Sequence, residues 1–278
     1  MKTPVTDPKP IKKQPVTTDI NGKMILLGTG TSVGVPAIGC GCQVCQGGNP
    51  KNQRTRASAI LGLPQGNLLI DTSPDLRMQL LREKIGLVNS VIYTHEHTDH
   101  VMGFDDLRLF QFYLGHPVPV YCNKRVEDRL KTAFDYAFNG GPKTHRGATP
   151  QVDIHSIDNS PIEILGATVI PIPLKHGPKF DVLGFRVGNV AYCTDVSEIP
   201  DASWPLLQGL DTLVLDALRP EPHVTHFSIK QAIETCRELK VKQTYFTHCA
   251  CGIDYDSVNA ALPQGIEVGY DGLQISLT

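Results

Sequence analysis

One segment constrains this chain more than any other: residues 94–100, with the sequence THEHTDH. It combines three of the chain's ten histidines with two carboxylates, a density that a solvated surface turn does not require. Residues two apart in extended chain face the same side, so His95 and His97 are predicted to address one cation. Asp99 and His100 follow at a turn and can address a second. Such ligands suit zinc, manganese or iron(II).

Three further candidate ligands follow predicted strands. His176 lies after an apolar run, Asp195 follows Ala191-Tyr192-Cys193-Thr194, and His248 follows Gln243-Thr244-Tyr245-Phe246. Each alone is equally compatible with a packed or capping residue. Strand ends hold ligands rigidly, and together with the histidine-rich segment the three complete two predicted metal sites.

The order and placement of these residues resemble the metallo-β-lactamase superfamily from about Met24 onward. The resemblance implies an α/β (α+β) fold, the αββα sandwich. It implies one metal on His95, His97 and His176, a second on Asp99, His100 and His248, and Asp195 bridging them. Asp71, after the predicted strand 67–70, matches an aspartate that supports the ligand loops in this superfamily.

A second cluster, Cys40-Gly41-Cys42-Gln43-Val44-Cys45, places three thiols within six residues. Three thiolates need a fourth ligand to close a tetrahedral zinc site, and Cys251 is the first candidate, Cys249 the second. An iron–sulfur cluster, a redox thiol set and unlinked cysteines are the alternatives.

Residues 34–42 together with Cys45 resemble the PhnP-type phosphodiesterases, a branch close to the tRNA 3′-processing nucleases. That resemblance implies a structural zinc on the three cysteines of this loop. The fourth ligand in that branch is a histidine three residues beyond the last catalytic histidine, and Cys251 stands at that place here. Four thiolates close a zinc site as well as three thiolates and an imidazole do.

Candidate proton donors and anion contacts lie elsewhere. His226 occupies the position at which the PhnP-type branch carries a histidine thought to protonate the leaving oxygen, and His223 is the second candidate. Asp216 ends a buried strand and either orients a metal-binding imidazole or caps the strand. Arg54 is a candidate substrate-binding residue, although a solvated loop is the commoner role of such an arginine.

Composition limits the classes of partner that we expect this chain to bind. Lys plus Arg is 26 and Asp plus Glu is 28 in 278 residues, a net charge of −2, which argues against a constitutively basic nucleic-acid binder. No apolar stretch approaches the roughly 20 residues of a membrane span, and no signal-peptide core is present at the N-terminus. We therefore expect a cytoplasmic protein without a membrane or stable nucleic-acid partner. Residues 1–22 are expected to form a disordered tail and residues 23–278 one hydrolase domain.

The chain pattern also predicts local structure. Strands at 58–61 and 67–70 flank a Pro64-Gln65-Gly66 turn, helices cover 104–113 and 228–239, and the polar residues 124–146 are a candidate lid. The sequence GTGTS at 28–32 lacks the lysine of a phosphate-binding loop, so a strand-end turn is the better interpretation.

The function that these resemblances imply is hydrolysis of small phosphodiesters, cyclic ones included, through a hydroxide that bridges two metals. Asp99 belongs to the catalytic set, the cofactors are two divalent ions (Zn or Mn) and one structural Zn, and homodimerisation follows by analogy. A tRNA 3′-processing ribonuclease and a thioester or lactone hydrolase are the enzyme alternatives. A non-catalytic zinc protein is the fourth, although it would have no need of all seven ligands.

Overall fold

A computed structural model describes residues 14–139 and 147–277. Its strands form two seven-stranded sheets, ordered β14-β1-β2-β3-β4-β5-β6 and β13-β12-β11-β10-β9-β8-β7. The strands are β1 (Lys23–Gly28), β2 (Ser58–Leu63), β3 (Gly66–Ile70), β4 (Ser90–Ile92), β5 (Val118–Cys122), β6 (Val152–Ser156), β7 (Ile162–Ile164), β8 (Ala167–His176), β9 (Phe180–Val187), β10 (Val190–Cys193), β11 (Thr212–Asp216), β12 (Gln243–Thr247), β13 (Ile266–Val268) and β14 (Gln274–Ser276).

Helices cover the outer face of each sheet. They are α1 (Gln43–Gln46), α2 (Leu76–Arg82), α3 (Thr98–Val101), α4 (Phe110–Leu114), α5 (Lys124–Ala133), α6 (Asp135–Phe138), α7 (Ile229–Leu239) and α8 (Tyr255–Ala261), with 3-10 helices at Pro50–Asn52, Phe104–Leu109 and Asp201–Leu207. Leu80 of α2 and Leu130 of α5 pack in one core against the first sheet. Cys236 of α7 packs in a second core against the other sheet.

A third core lies between the two sheets, and it explains why β1 is apolar on every position after its first. Met24 and Leu26 point into the inter-sheet core, whereas Ile25 and Leu27 point under the helices. A strand covered on both faces reads as a continuous apolar run rather than an alternating one. The four layers confirm the predicted αββα sandwich.

Parallel pairing directs the functional loops to one rim. Strands β3 to β6 are parallel to one another, as are β10 to β13. The carboxyl ends of parallel strands meet at one edge of a sheet, and residues that follow them converge there. The loops after β3, β4, β10 and β12 therefore face the same region.

The first described residues differ from the prediction of a tail. Ile20 is 2% exposed in the core, the Thr18 N–H donates to the Lys84 carbonyl (2.9 Å), and the Gly22 N–H donates to the Gly62 carbonyl (2.9 Å). The predicted tail boundary at residue 22 is therefore too late, because one buried isoleucine and these backbone bonds hold a polar segment that composition alone assigns to the tail. Residues 1–13 lie outside the described residues.

Of the other local predictions, some match the structure and others differ from it. The 58–61 and 67–70 strands pair as β2 and β3, and α7 begins at Ile229 after Ser228, whose side chain forms a capping box with Gln231. The helix predicted at 104–113 divides into a 3-10 helix and α4, which ends before Gly115. The candidate lid begins with α5, whose Leu130 is docked in the core. Its residues 140–146 lie outside the described residues.

Candidate active site

The first group of candidate ligands is made of three imidazoles. The ligand nitrogens of His95, His97 and His176 lie within 4.8 Å of one another, with His95 Nε2 3.0 Å from His97 Nδ1. Burial lowers the pKa of all three side chains below the usual histidine range. The lowered pKa values favour the neutral imidazole, which is the form that binds a metal.

The second group adds carboxylates. Ligand atoms of Asp99, His100, Asp195 and His248 also lie within 4.8 Å of one another. One Asp195 oxygen is 3.3 Å from His248 Nε2 and 3.8 Å from His176 Nε2, and the other is 3.3 Å from His100 Nε2. Asp195 thus contacts both groups, the position that a bridging ligand requires.

The electrostatics of the second group favour a cation. Burial by itself raises the pKa of both Asp99 and Asp195, but nearby histidines outweigh it and hold both pKa values below the usual range. Burial lowers the pKa of His248, yet Asp195 and Asp99 outweigh it and raise that pKa to about 9. Within the described residues no Lys or Arg pairs with either carboxylate. Buried carboxylates need positive charge, and a divalent cation would supply it in exchange for protons.

Hydrogen bonds to the outer ring nitrogens orient the ligands. The Thr94 hydroxyl donates to Asp71 (2.8 Å), so the His95 Nδ1–H donates to that hydroxyl (3.0 Å) and leaves Nε2 with a free lone pair. His100 Nδ1 donates to Asp71 (2.7 Å), and His176 Nδ1 donates to the Thr225 carbonyl (2.7 Å). A partner on the far nitrogen fixes the tautomer and ring orientation of a metal ligand.

If the cluster binds metal ions, some of its buried polar atoms should lack hydrogen-bond partners within the protein. In residues 14–139 and 147–277, the Nε2 atoms of His100 and His248 are buried and form no hydrogen bond of good geometry, although carboxylate oxygens of Asp99 and Asp195 lie 3.2–3.7 Å from them. Buried polar groups without hydrogen bonds are costly and unusual. Imidazole nitrogens and carboxylate oxygens that face one another in this way fit two divalent cations.

Left-handed backbone marks three of these positions. Asp71, Asp195 and His248 have φ angles of 63°, 59° and 57°, each within two residues of the end of a strand. Asp and His are among the few residues enriched at positive φ, and such strain clusters at functional sites. The chain therefore turns sharply at each of these strand ends, a feature that the sequence pattern does not reveal.

An imidazole–carboxylate pair lies beside the ligand groups. His226 Nδ1 donates to Asp216 Oδ2 (2.6 Å), which also accepts from the Val196 N–H (2.7 Å). The His226 ring stacks on His248 at 4.6 Å between centroids. Ligand atoms of His226 also come within 4.8 Å of those of His176 and Asp195, so its position suits either a proton donor or an additional ligand.

His223, the second candidate donor, lies farther out. Its ring centroid is 5.3 Å from that of His226, and its Nδ1 contacts the Thr225 hydroxyl (3.1 Å). His226 is buried against two candidate ligands, whereas His223 is half-buried at the rim. The geometry therefore favours His226.

The sulfur cluster forms at the opposite end of the His248 loop. The four Sγ atoms of Cys40, Cys42, Cys45 and Cys251 lie within 4.8 Å of one another, and all four thiols are free. The Cys45 N–H donates to Cys42 Sγ (3.4 Å) and is the main reason that the pKa of Cys42 falls to about 7. Cys249, the second candidate, is fully buried elsewhere, with its Sγ donating to the Thr247 carbonyl (3.6 Å).

The predicted role of Arg54 is wrong. Its side chain is 1% exposed, and Nη2 donates to the Asn52 side chain (3.0 Å), so the guanidinium is not open to a substrate. The backbone of Arg54 pairs in both directions with Val35 (2.7 and 2.8 Å), which holds this segment against the chain that leads into the cysteine loop.

Sequence reasoning also missed functional contacts. The Thr225 carbonyl and the Thr94 hydroxyl orient ligands, but carbonyl acceptors are common to every residue and leave no sequence signal. Phe180, whose ring lies 4.6 Å from that of His97, was not singled out either. Its position right after the His176 loop was the available signal.

Comparison with known proteins adds three findings. Residues 66–249 match the family model of the beta-lactamase superfamily domain. A solved structure described as a new diphosphatase from the PhnP family superposes with a TM-score of 0.85 at 41% identity, covering 91% of this chain and 96% of that one. The short form of human tRNase Z superposes with a TM-score of 0.65 at 15% identity, covering 92% and 99%, which shows a shared fold alone.

One curated relative is an octanoyltransferase of Porphyromonas gingivalis. It is 33% identical over 256 residues, which are 91% of this chain and 51% of the relative. The chain thus spans about half the length of that relative.

None of the described helices combines the length and apolarity needed to cross a membrane.

Proposed function

The chain belongs to the β-lactamase superfamily, and from that membership we propose that it is a metal-dependent hydrolase of small phosphodiesters or diphosphates. The observation that carries the proposal is the arrangement at the rim: two contiguous groups of candidate ligands with the His226–Asp216 pair stacked against them. The similarity to a PhnP-family diphosphatase supports the phosphate-ester class.

In the proposed enzyme, His95, His97 and His176 would hold one cation, and Asp99, His100 and His248 would hold the other. Asp195, which lies beside both groups, would serve the two sites together. Two divalent cations, when bound, would lower the pKa of a shared water and neutralise the charge of a phosphate group. The chain's own contribution is to hold the imidazoles in one tautomer through Asp71, Thr94 and the Thr225 carbonyl.

His226 would deliver the proton that the leaving oxygen needs. Asp216 accepts from Nδ1, so the proton to be transferred sits on Nε2 of the imidazolium form, and the carboxylate stabilises that charge. The stacking of its ring on His248 holds His226 beside the second group of candidate ligands.

The four cysteines would bind one structural zinc. Tetrahedral Cys₄ coordination is a closed arrangement without a free position, so this ion has no catalytic part. The Cys249 N–H donates to the Thr29 carbonyl (2.8 Å), which ties the His248 loop to the strand end that leads into the cysteine loop. The zinc would thereby brace a catalytic ligand from a distance.

The alternatives receive less support. A tRNA-processing nuclease shares the fold at 15% identity, but the net charge of −2 supplies no excess of basic groups for RNA. The octanoyltransferase name belongs to a protein twice as long, so it does not favour acyl chemistry for this chain. A thioester or lactone hydrolase on the same fold is the remaining alternative, and an assay with a lactone tests it.

The test measures metal content and substrate preference together. Protein purified without added metal is analysed for metal per chain and assayed with bis(p-nitrophenyl) phosphate, 2′,3′-cyclic nucleotides, precursor tRNA and a lactone, with Zn²⁺ or Mn²⁺ re-added. We expect about three metals per chain and phosphodiester turnover that His97→Ala abolishes, with unchanged circular dichroism as the folding control. Faster turnover of the lactone or of tRNA, or no turnover with either metal, would overturn the proposal.

A further inference from the structure

Glu96 separates the two metal-binding histidines in sequence but takes no part in their groups. Its Oε1 lies 2.6 Å from Nη2 of Arg125, on α5. The Glu96 side chain is 9% exposed, and Oε2 has no hydrogen-bond partner within the described residues. A carboxylate this deeply buried needs a cation, so the ion pair fixes the position of Arg125.

Arg125 is held on a second side by an aromatic ring. Its guanidinium carbon lies 5.5 Å from the centroid of Phe180, which favours a cation over its face. The Arg125 side chain is nevertheless 52% exposed. Apart from the contact with Glu96, its N–H groups meet no acceptor in the part of the chain that the structure describes.

Phe180 connects this arginine to the metal site. Its ring meets His97 edge-on at 4.6 Å, and His97 is the most exposed of the candidate ligands. Taken together, the two ring distances put the guanidinium at most about 10 Å from the centre of His97. Arg125 thus lies near the first ligand group, is held by Glu96 and Phe180, and has exposed N–H groups that can bind a further acceptor.

We propose that Arg125 binds a second phosphate of the substrate, next to the phosphate that is cleaved, and so selects diphosphate diesters over simple phosphodiesters. The inference rests on the proposed function and narrows its substrate class. A guanidinium offers planar, paired donors that match phosphate oxygens, and one that is already immobilised loses little further freedom on binding. The exposed Lys179, beside Phe180 in sequence, adds positive charge to the same rim.

The experiment compares two substrates and three proteins. ADP-ribose carries a diphosphate diester, whereas bis(p-nitrophenyl) phosphate carries one phosphate. Arg125→Ala should lower kcat/KM for ADP-ribose about 10- to 100-fold, mainly through KM, and change that for bis(p-nitrophenyl) phosphate less than about twofold. Arg129→Ala removes the same charge one turn along the exposed face of α5 and should leave both values unchanged.

Equal losses on both substrates, or none on either, would overturn the inference. A second readout separates it from the proposed function: calorimetric binding of inorganic pyrophosphate to the wild type and to Arg125→Ala. If the wild type hydrolyses neither substrate, the proposed function fails, while weaker pyrophosphate binding by the variant alone still supports the arginine as a phosphate contact. Equal pyrophosphate binding by both proteins counts against it.

Discussion

At the scale of single residues, Asp71 organises the candidate site without facing it. It accepts from the Thr94 N–H and hydroxyl (both 2.8 Å) and from His100 Nδ1 (2.7 Å), and it is fully buried at a positive φ. One carboxylate therefore fixes both the loop that follows β4 and the ring of one ligand. These contacts are the reason to test Asp71 as a support for the ligand loops, the role that the superfamily resemblance implies.

Asp71→Asn tests that role with almost no change in shape. The amide NH₂ must face one of the three donors, so we expect metal affinity to fall about 10- to 100-fold. We also expect the free energy of unfolding to fall by about 1–3 kcal/mol. Isothermal titration with Zn²⁺ and thermal unfolding of the metal-free protein measure the two effects. Unchanged affinity would show that Asp71 supports the fold alone.

His226→Ala tests proton delivery. Removal of a general acid slows esters with a poor alkoxide leaving group about 10²- to 10⁴-fold, whereas p-nitrophenolate leaves without help. We therefore expect the loss of kcat to be far larger for a 2′,3′-cyclic nucleotide than for bis(p-nitrophenyl) phosphate. Equal losses, accompanied by loss of bound metal, would instead identify His226 as a ligand, which its distances to His176 and Asp195 allow.

At the scale of elements, the site depends on how strands end. The sequence predicts the strands before Asp71, His95, Asp195 and His248 from their apolar runs, and the HxHxDH spacing indicates the candidate metal site. It does not predict the positive φ angles of three of these residues, because Asp and His have only a weak preference for that conformation. The burial of Arg54 was not predicted either, because an arginine in a polar segment is usually exposed and the backbone pairing with Val35 leaves no signal in the sequence.

Gly30 shows the same dependence on backbone packing. A Cβ at this position would lie 2.6 Å from the Arg54 carbonyl oxygen, so the GTGTS segment uses glycine for the close approach of two backbone segments. Gly30→Ala should lower the free energy of unfolding by about 1–3 kcal/mol, since backbone must shift to accommodate the methyl group. Urea unfolding measures the change. Gly48→Ala, at a site with no atom within 4 Å, is the matched control and should be neutral.

At the scale of the whole molecule, both halves of the sandwich supply candidate ligands, four from the first half and three from the second. The four ligands within residues 95–100 follow β4 of the first sheet. In the second sheet, His176 ends β8, and Asp195 and His248 follow β10 and β12. The cysteine cluster repeats this arrangement, because three thiols come from the N-terminal loop and Cys251 comes from the loop after β12. Both sites therefore form only when the halves pack, and the backbone bonds between Cys249, Thr29 and Thr31 join them.

Replacement of Cys251 tests whether the sulfur cluster acts on the active site through that connection. Cys251→Ser should reduce bound metal from about three to about two per chain and lower kcat, since the loop that carries His248 loses its brace. Cys251→His should retain the third metal and most of the activity, because an imidazole also closes a tetrahedral zinc site and Cys251 is only half-buried. Metal analysis and steady-state kinetics on the same preparations decide the outcome. If Cys251→Ser loses one metal but keeps full kcat, the cluster stabilises the fold without supporting the active site.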